Sequence, residues 1–433
     1  MSIKYLIILF LLGYLFKAEA QEPAKRSLID CLNEAVKNND QFLKLKSDEK
    51  IKRLEHRMVK SQLIPSLTAG INSNEYIQDS RIAFIDDIIP ASEINDAKTS
   101  GFSNSLNASV NLTDFVQSFA NIKASKLDRE AYSLDLTIQL NQLIQTVTNL
   151  YFSTYEQQEK CRFLSQKKEA SEELMRISQL KLKLGAIDSL TYYQALLNLE
   201  LDDISLRNAQ TEYERSISSL RIWMNTNEVF ELDQPELEIK NLKSTGPFPE
   251  IVALDLRIEN QKVSKRALNW NYLPDFTLFS GYGYSNQTFQ NGLVAQNRAI
   301  GTSYGLTLNY NFGSIKNNLH QQKISKLRIE NTQLSRDRIL KERKRDAELL
   351  DLELANSQLN LSAIERSVSI AIRAYNNATT QYELGGIDLV ELRRLQNQLS
   401  ENQINLVQAK TQYSSTQLKK AALYGNLETI LAD

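Results

Sequence analysis

Glycine and proline are scarce, 14 and 7 among 433 residues, which excludes a fold of many short elements and leaves room for long uninterrupted helices. Only two histidines, His56 and His320, are present, and neither has a Cys, His or carboxylate partner at helical ligand spacing. No metal site is therefore expected, and both read as helix-surface residues. The two cysteines, Cys31 and Cys161, stand far apart: Cys161 falls about 46 residues, some 70 Å, into the first long helix at roughly 1.5 Å per residue, while Cys31 precedes the first hairpin. Both are expected as small buried apolar residues without a disulfide. Charge of one sign is missing too, 51 basic against 52 acidic residues, so nucleic acid is not an expected partner. Beyond residue 20 no apolar run approaches the roughly 20 residues that a membrane-spanning helix requires, which excludes helical spans and leaves a barrel open. Gly281-Tyr-Gly283 lacks the helix start and lysine of a phosphate loop, and no nucleophile elbow or His-Glu-x-x-His signature occurs. Neither an enzymatic role nor a cofactor is expected.

The one strongly apolar stretch is N-terminal. Residues 5–16 follow Lys4 and precede Ala18-Glu19-Ala20, a pattern that reads as an export signal over 1–20, cleaved before Gln21. The residue directly after the expected cleavage site is Gln21 and not a cysteine, so an acylated N-terminus is not expected.

What the chain has in abundance is self-similarity. Residues 101–213 reappear 200 positions on as 301–413 without insertion: Gly101 answers Gly301, Asn111 answers Asn311, Lys123-Ala-Ser-Lys-Leu127 answers Lys323-Ile-Ser-Lys-Leu327, and Leu184-Gly-Ala-Ile-Asp188 answers Leu384-Gly-Gly-Ile-Asp388. An ungapped match of that length marks a duplicated structural unit. Pro65 and Pro274 pair with the register shifted by nine, so the segment between each proline and its glycine is a surface loop of differing length.

From 115 to 183 there is neither glycine nor proline, and Leu136, Leu140, Leu143, Val147, Leu150, Tyr151 and Tyr155 recur at helical spacing. The spacing predicts one helix of about 69 residues, roughly 100 Å long. A partner helix beginning at Asp188 carries Leu196, Leu199, Ile204, Leu206, Tyr213, Ile217 and Leu220 on a comparable stripe, and the two are expected to pack as an antiparallel coiled pair. The second copy predicts the same over 315–383 and 388–423. Shorter helices are expected over 40–63 and 250–272.

Between short and long helix the period changes to two. Phe276, Leu278, Tyr282 and Tyr284 alternate with Thr277, Gly281 and Gly283; Tyr304, Leu306, Leu308, Tyr310 and Phe312 alternate with Gly305, Thr307, Asn309 and Asn311. The first copy repeats this with Leu67, Ala69 and Ile71, then with Leu106, Ala108, Val110 and Leu112 opposite Ser105, Asn107, Ser109 and Asn111. These are strands of about nine residues. An apolar face with tyrosines towards its ends, backed by small polar residues, is the pattern of a membrane β-barrel with a wet lumen. Four strands cannot close a barrel, and an open edge in lipid leaves backbone groups unsatisfied, so strands must be shared between chains. Two copies supply eight strands, whose interior side chains fill; three supply twelve and leave room for a channel.

These features together resemble the TolC-like outer membrane efflux proteins over essentially the whole length after the signal. The residues that carry the resemblance are the duplication, the strand pairs approached through Ile64-Pro65 and Leu273-Pro274, and the Leu-Gly-x-Ile-Asp turns at 184–188 and 384–388. The resemblance implies a mostly α fold with a membrane β-barrel portion, assembled as a homotrimer with a twelve-stranded barrel in the outer membrane and a twelve-helix periplasmic tunnel. It implies docking to a periplasmic adaptor (membrane fusion) protein and an inner-membrane transporter, with outer-membrane lipid around the barrel. The function it implies is passive conduction of small molecules or ions handed over by those partners.

By the same resemblance the two turns form an adaptor-docking and gating tip: Leu184, Gly185, Ala186 and Ile187 with Leu384, Gly385, Gly386 and Ile387. On the residues alone, Leu-Gly is an ordinary helix end, and Asp188 and Asp388 are ordinary N-caps, which is compatible with that role. Family members often carry acidic residues just inside the second tip helix, forming a pore constriction. The matching position here is Glu391, followed three residues on by Arg394 where a second acid can occur. Glu391 also stands at capping-box spacing from Asp388, and pairing of Glu391 with Arg394 between neighbouring chains is a further alternative.

The expected organisation is a signal over 1–20, a first repeat over 21–224 (strand pair about 66–112, hairpin 115–224), an equatorial linker over 225–248, a second repeat over 249–424 (strand pair about 275–313, hairpin 315–424) and a tail over 425–433. The linker, the 27–38 segment and the C-terminus are expected to form a belt. Two other readings remain open: the outer-membrane channel of one-step (type I) protein secretion, and a periplasmic coiled-coil scaffold or adaptor, against which the aromatic strands argue.

Overall fold

The computed structural model describes residues 24–78, 97–235, 246–291 and 293–427; the expected export signal lies outside them. In chain order the elements are β1 (Ala24–Arg26), α1 (Leu28–Asn38), α2 (Asp40–Ser61), β2 (Ser66–Gln78), β3 (Ala97–Asn111), α3 (Leu112–Lys183), α4 (Ser189–Met224), β4 (Phe230–Leu232), α5 (Pro249–Ala267) with a 3-10 turn (Leu268–Tyr272), β5 (Asp275–Asn291), β6 (Leu293–Asn309), α6 (Ser314–Glu383) and α7 (Leu389–Leu423). The long helices stand where glycine and proline are absent. Among the described residues no helix is long and apolar enough to cross a membrane.

The chain divides into two compact units, Glu49–Ser133 with Ala253–Asp337, and the remainder. The first holds a four-stranded antiparallel sheet in the order β2-β3-β5-β6, with Leu106 opposite both Ala69 and Tyr282, and Leu278 opposite Leu306. That register gathers Leu67, Ile71, Leu106, Leu278, Tyr282, Ile300, Tyr304 and Leu306 on one exposed face. Phe279 falls on the other, small-residue face, where it stands opposite Gly305 and its ring fills the space that a Cβ would need.

The strands, of 13, 15, 17 and 17 residues, are longer than the alternation predicts. Backbone pairing needs no apolar side chain, so the ladder continues through the Asn, Ser and Gln positions. At the other end they stop earlier than expected. The Asn111 side-chain oxygen accepts from the Thr113 and Asp114 amides at 2.9 and 3.1 Å, which starts α3 at Leu112 and removes that leucine from the strand. Asn311 accepts from Gly313 at 2.9 Å, and Tyr310 and Phe312 lie beyond β6, edge to face at 4.7 Å. Asparagine competes with the ladder by capping the turn that follows.

His56 departs from the expected surface position. It is 6% exposed, and its Nδ1 lies 2.7 Å from Ser125 Oγ on α3. A polar partner in the repeated Lys-x-Ser-Lys-Leu segment allows the ring to be buried.

The core of the second unit joins Cys31 and Leu32 of α1 to Ile144, Val147 and Tyr151 of α3, Ile217 and Leu220 of α4, Leu418 and Ala421 of α7, and Leu427. Each large side chain buried fully there contributes roughly 1.5–3 kcal/mol. β1 pairs parallel with β4, and the Tyr151 hydroxyl donates to the Asp233 carbonyl at 2.7 Å. The 27–38 segment is thus a helix, started by a capping box between Ser27 and Asp30. Both cysteines are free; Cys31 is buried, which pushes its thiol up to about 12, and Cys161 is partly exposed.

Candidate functional site

The two Leu-Gly turns have the same geometry. In the first, the Gly185 amide donates to the Leu182 carbonyl at 3.0 Å and Ala186 to Lys181 at 2.9 Å; in the second, Gly385 donates to Tyr382 at 3.2 Å and Gly386 to Gln381 at 2.7 Å. This double closure requires a left-handed residue, and Gly185 and Gly385 have φ of +71° and +77°. The next helix is then started by an aspartate: Asp188 accepts from the Thr191 amide at 2.9 Å and Asp388 from the Glu391 amide at 2.8 Å. The turns leave Leu184 and Leu384 82% exposed, apolar side chains without cover at the end of each hairpin. Ala186 and Gly386 are exposed as well, and Ile187 and Ile387 are half-buried.

Ile387 packs with Leu389, Leu392, Ala378 and Tyr382 of its own hairpin and with Ala195 and Leu174 of the other. The structure thus brings the end of the second hairpin against the first. Glu391 and Arg394 form a bidentate pair within one chain, Arg394 donating at 2.7 and 2.9 Å. The Glu391 carboxylate thus turns to Arg394, and no reciprocal bond from it to the Asp388 amide completes the capping box; the hydrogen bond from Arg394 holds its pKa below the ordinary value.

The same two hairpins are fastened by residues that sequence reasoning passed over. Asp202 of α4 is 2% exposed. It accepts from Arg393 of α7, from Ser171 of α3 at 2.6 Å and from Lys167 at 2.9 Å. Arg393 also donates to Ser171 at 2.6 Å and to Gln396 at 2.7 Å, and Gln396 donates to the Lys167 carbonyl at 3.3 Å. Burial alone would raise the Asp202 pKa; the hydrogen bonds from Arg393, Ser171 and Lys167 outweigh it and hold the group ionised, below the usual range. The signal was legible: Asp202 lies between Leu199 and Leu206, on the apolar stripe itself. The duplication also repeats the contact without charge, since the equivalents of Lys167 and Asp202 are Ser367 and Asn402, which bond at 2.9 Å.

Paired hairpins with like ends, joined in sequence to an open sheet with one exposed apolar face, are an architecture that can be compared with known proteins. Residues 31–226 match the family model described as outer membrane efflux protein. Among solved structures, the Campylobacter jejuni CmeC outer membrane channel aligns at 16% identity over 92% of this chain and 85% of that one, with a TM-score of 0.74. A membrane protein from Pseudomonas aeruginosa aligns at 15% over 93% and 91%, with a TM-score of 0.75. The open state of the Neisseria gonorrhoeae MtrE outer membrane channel aligns at 15% over 92% and 89%, with a TM-score of 0.72. No curated protein sequence matches significantly. The family model thus matches the first copy, and over its length the chain has the fold of these outer membrane channels.

Proposed function

We propose that this chain is the outer-membrane exit duct of a tripartite efflux system, conducting small molecules or ions passively after an inner-membrane transporter and a periplasmic adaptor hand them over. The observation that carries this reading is the sheet: an exposed apolar face on one side, small polar residues on the other, and two edges, β2 and β6, each paired on one side only. In hydrocarbon such edges leave several kcal/mol of unsatisfied backbone per group, so copies must share strands. Three copies give the twelve strands that leave a lumen. The helical hairpins of each copy then wall a periplasmic tunnel, and conduction through it asks no chemistry of the chain.

The exposed Leu184 and Leu384 are the docking residues for the adaptor, and the turns that carry them are the moving tip. Opening displaces the second hairpin from the first and breaks the Asp202–Arg393 clasp. Glu391 narrows the closed pore with its charge partly cancelled by Arg394. The native mass of the protein extracted in mild detergent, less bound detergent, tests the assembly on which all of this rests: three chains per particle are expected, and a monomer would remove the shared barrel.

A further inference from the structure

The charges of the chain cancel overall but not where its helices meet the sheet. Residues 56–61, 112–127, 261–272 and 314–328, the parts of α2, α3, α5 with its 3-10 turn, and α6 next to the strands, hold eleven Lys and Arg and a single carboxylate, Asp114. The repeated Lys-x-Ser-Lys-Leu segment puts Lys123 and Lys126 in one copy and Lys323 and Lys326 in the other, so both copies keep the excess. Lys126 and Lys326 each reach a glutamate one turn on, Glu130 and Glu330, at 3.7 Å. Among the described residues Lys262, Lys265 and Arg266 form no ion pair.

Those three cations line a groove of about 380 Å³ between α5 and α6, together with Asn269, Gln322 and the Lys326–Glu330 ion pair, whose one carboxylate leaves the groove with a net positive charge. Gln322 braces its walls, its Nε2 donating to Asn269 at 2.8 Å and to the Lys265 carbonyl at 3.4 Å. Between the groove and the first residue of β5 the chain exposes Trp270 and Leu273. An apolar face, then an exposed aromatic, then unpaired cations is the order in which a protein leaves a bilayer through its headgroups. A second copy offers no counter-charge at this level, because both repeats carry the same excess there; the anion must come from outside the chain.

We propose that the α5–α6 groove holds the headgroup phosphate of an anionic phospholipid whose acyl chains lie on the apolar face of the sheet. The proposal rests on the reading that the sheet is in a bilayer. Lys262, Lys265 and Arg266 supply the charge, the Arg266 guanidinium matching two phosphate oxygens, while Asn269 and Gln322 supply neutral hydrogen bonds.

Native mass spectrometry of the delipidated full protein, titrated with phosphatidylglycerol or phosphatidylethanolamine, tests it. Retention of phosphatidylglycerol over phosphatidylethanolamine is expected, with the preference falling about fivefold for each charge removed in Lys265→Gln and Arg266→Gln. Equal retention of the two lipids by the unaltered protein overturns the proposal, whatever the variants do. So does a preference that survives the double substitution, and so does displacement of the lipid by equimolar inorganic phosphate, which would mark a free-anion site. Insertion of the same protein into phosphatidylcholine vesicles separates the two readings: a protein that never inserts takes the membrane assignment and the lipid site down together, whereas one that inserts and shows no preference loses the lipid site alone.

Discussion

Asp202 is a buried charge that depends on the partly buried Arg393, because a carboxylate at 2% exposure is tolerable only while its donors remain. Arg393→Ala is expected to cost on the order of 3 kcal/mol in denaturant unfolding, and Asp202→Asn with Arg393→Gln and Lys167→Gln to recover much of it, since the triple substitution leaves none of the three charges of the cluster behind. In bilayer recordings Arg393→Ala should also raise mean conductance; an unchanged trace would detach the clasp from the gate. The folded Asp202 pKa lies below its unfolded value, so the contribution of the cluster is whole above about pH 4 and is lost as pH falls through the folded value. At the turns, Gly185→Ala and Gly385→Ala should each cost about 1–2 kcal/mol, read as lowered melting temperature, because a Cβ is strained at positive φ. Gly386→Ala should be near neutral, as Ala186 already occupies the equivalent place. Arg394→Ala should increase cation selectivity by freeing the Glu391 charge, and Glu391→Ala should lower it; identical reversal potentials for both would remove the constriction.

At the level of elements, α2 is locked to α3 through His56, a group with a pH signature. Burial, with Lys60, Arg129 and Lys126 nearby, lowers its pKa below the ordinary value of about 6.5, and Glu130 opposes this only weakly. The unfolded chain therefore takes up the proton first. Stability is full above about pH 6.5 and declines as pH falls from there to the folded value. Midpoints of chemical unfolding measured from pH 8 to pH 5 should show this decline, and His56→Gln should flatten it; equal slopes would remove His56 as the cause. The helices themselves were legible almost to the residue, because seventy positions without glycine or proline leave no other regular structure, whereas strand limits were set by Asn111 and Asn311, whose side chains act on backbone that periodicity does not describe.

On the scale of the whole molecule, the proposed assembly rests on the sheet. Its apolar face is exposed and β2 and β6 are its edges; in the assembly proposed above, lipid covers the face and other copies pair the edges. Dilution in detergent should therefore dissociate the particle cooperatively, with loss of β signal in circular dichroism accompanying loss of trimer mass; a folded sheet persisting in monomers would argue that the edges need no partner.

The amino-acid sequence by itself determined the duplication, the order of helices and strands, which residues share a strand face and the place of the two Leu-Gly turns, because these follow from spacing along one chain: period, breaker and cap. Only the tertiary structure decided which polar side chains meet. Asp202 and Arg393 are 191 positions apart, and His56 and Ser125 are 69 apart. Whether a charge on a helix is solvated or buried against a partner depends on how the hairpins pack, and local periodicity carries no record of that.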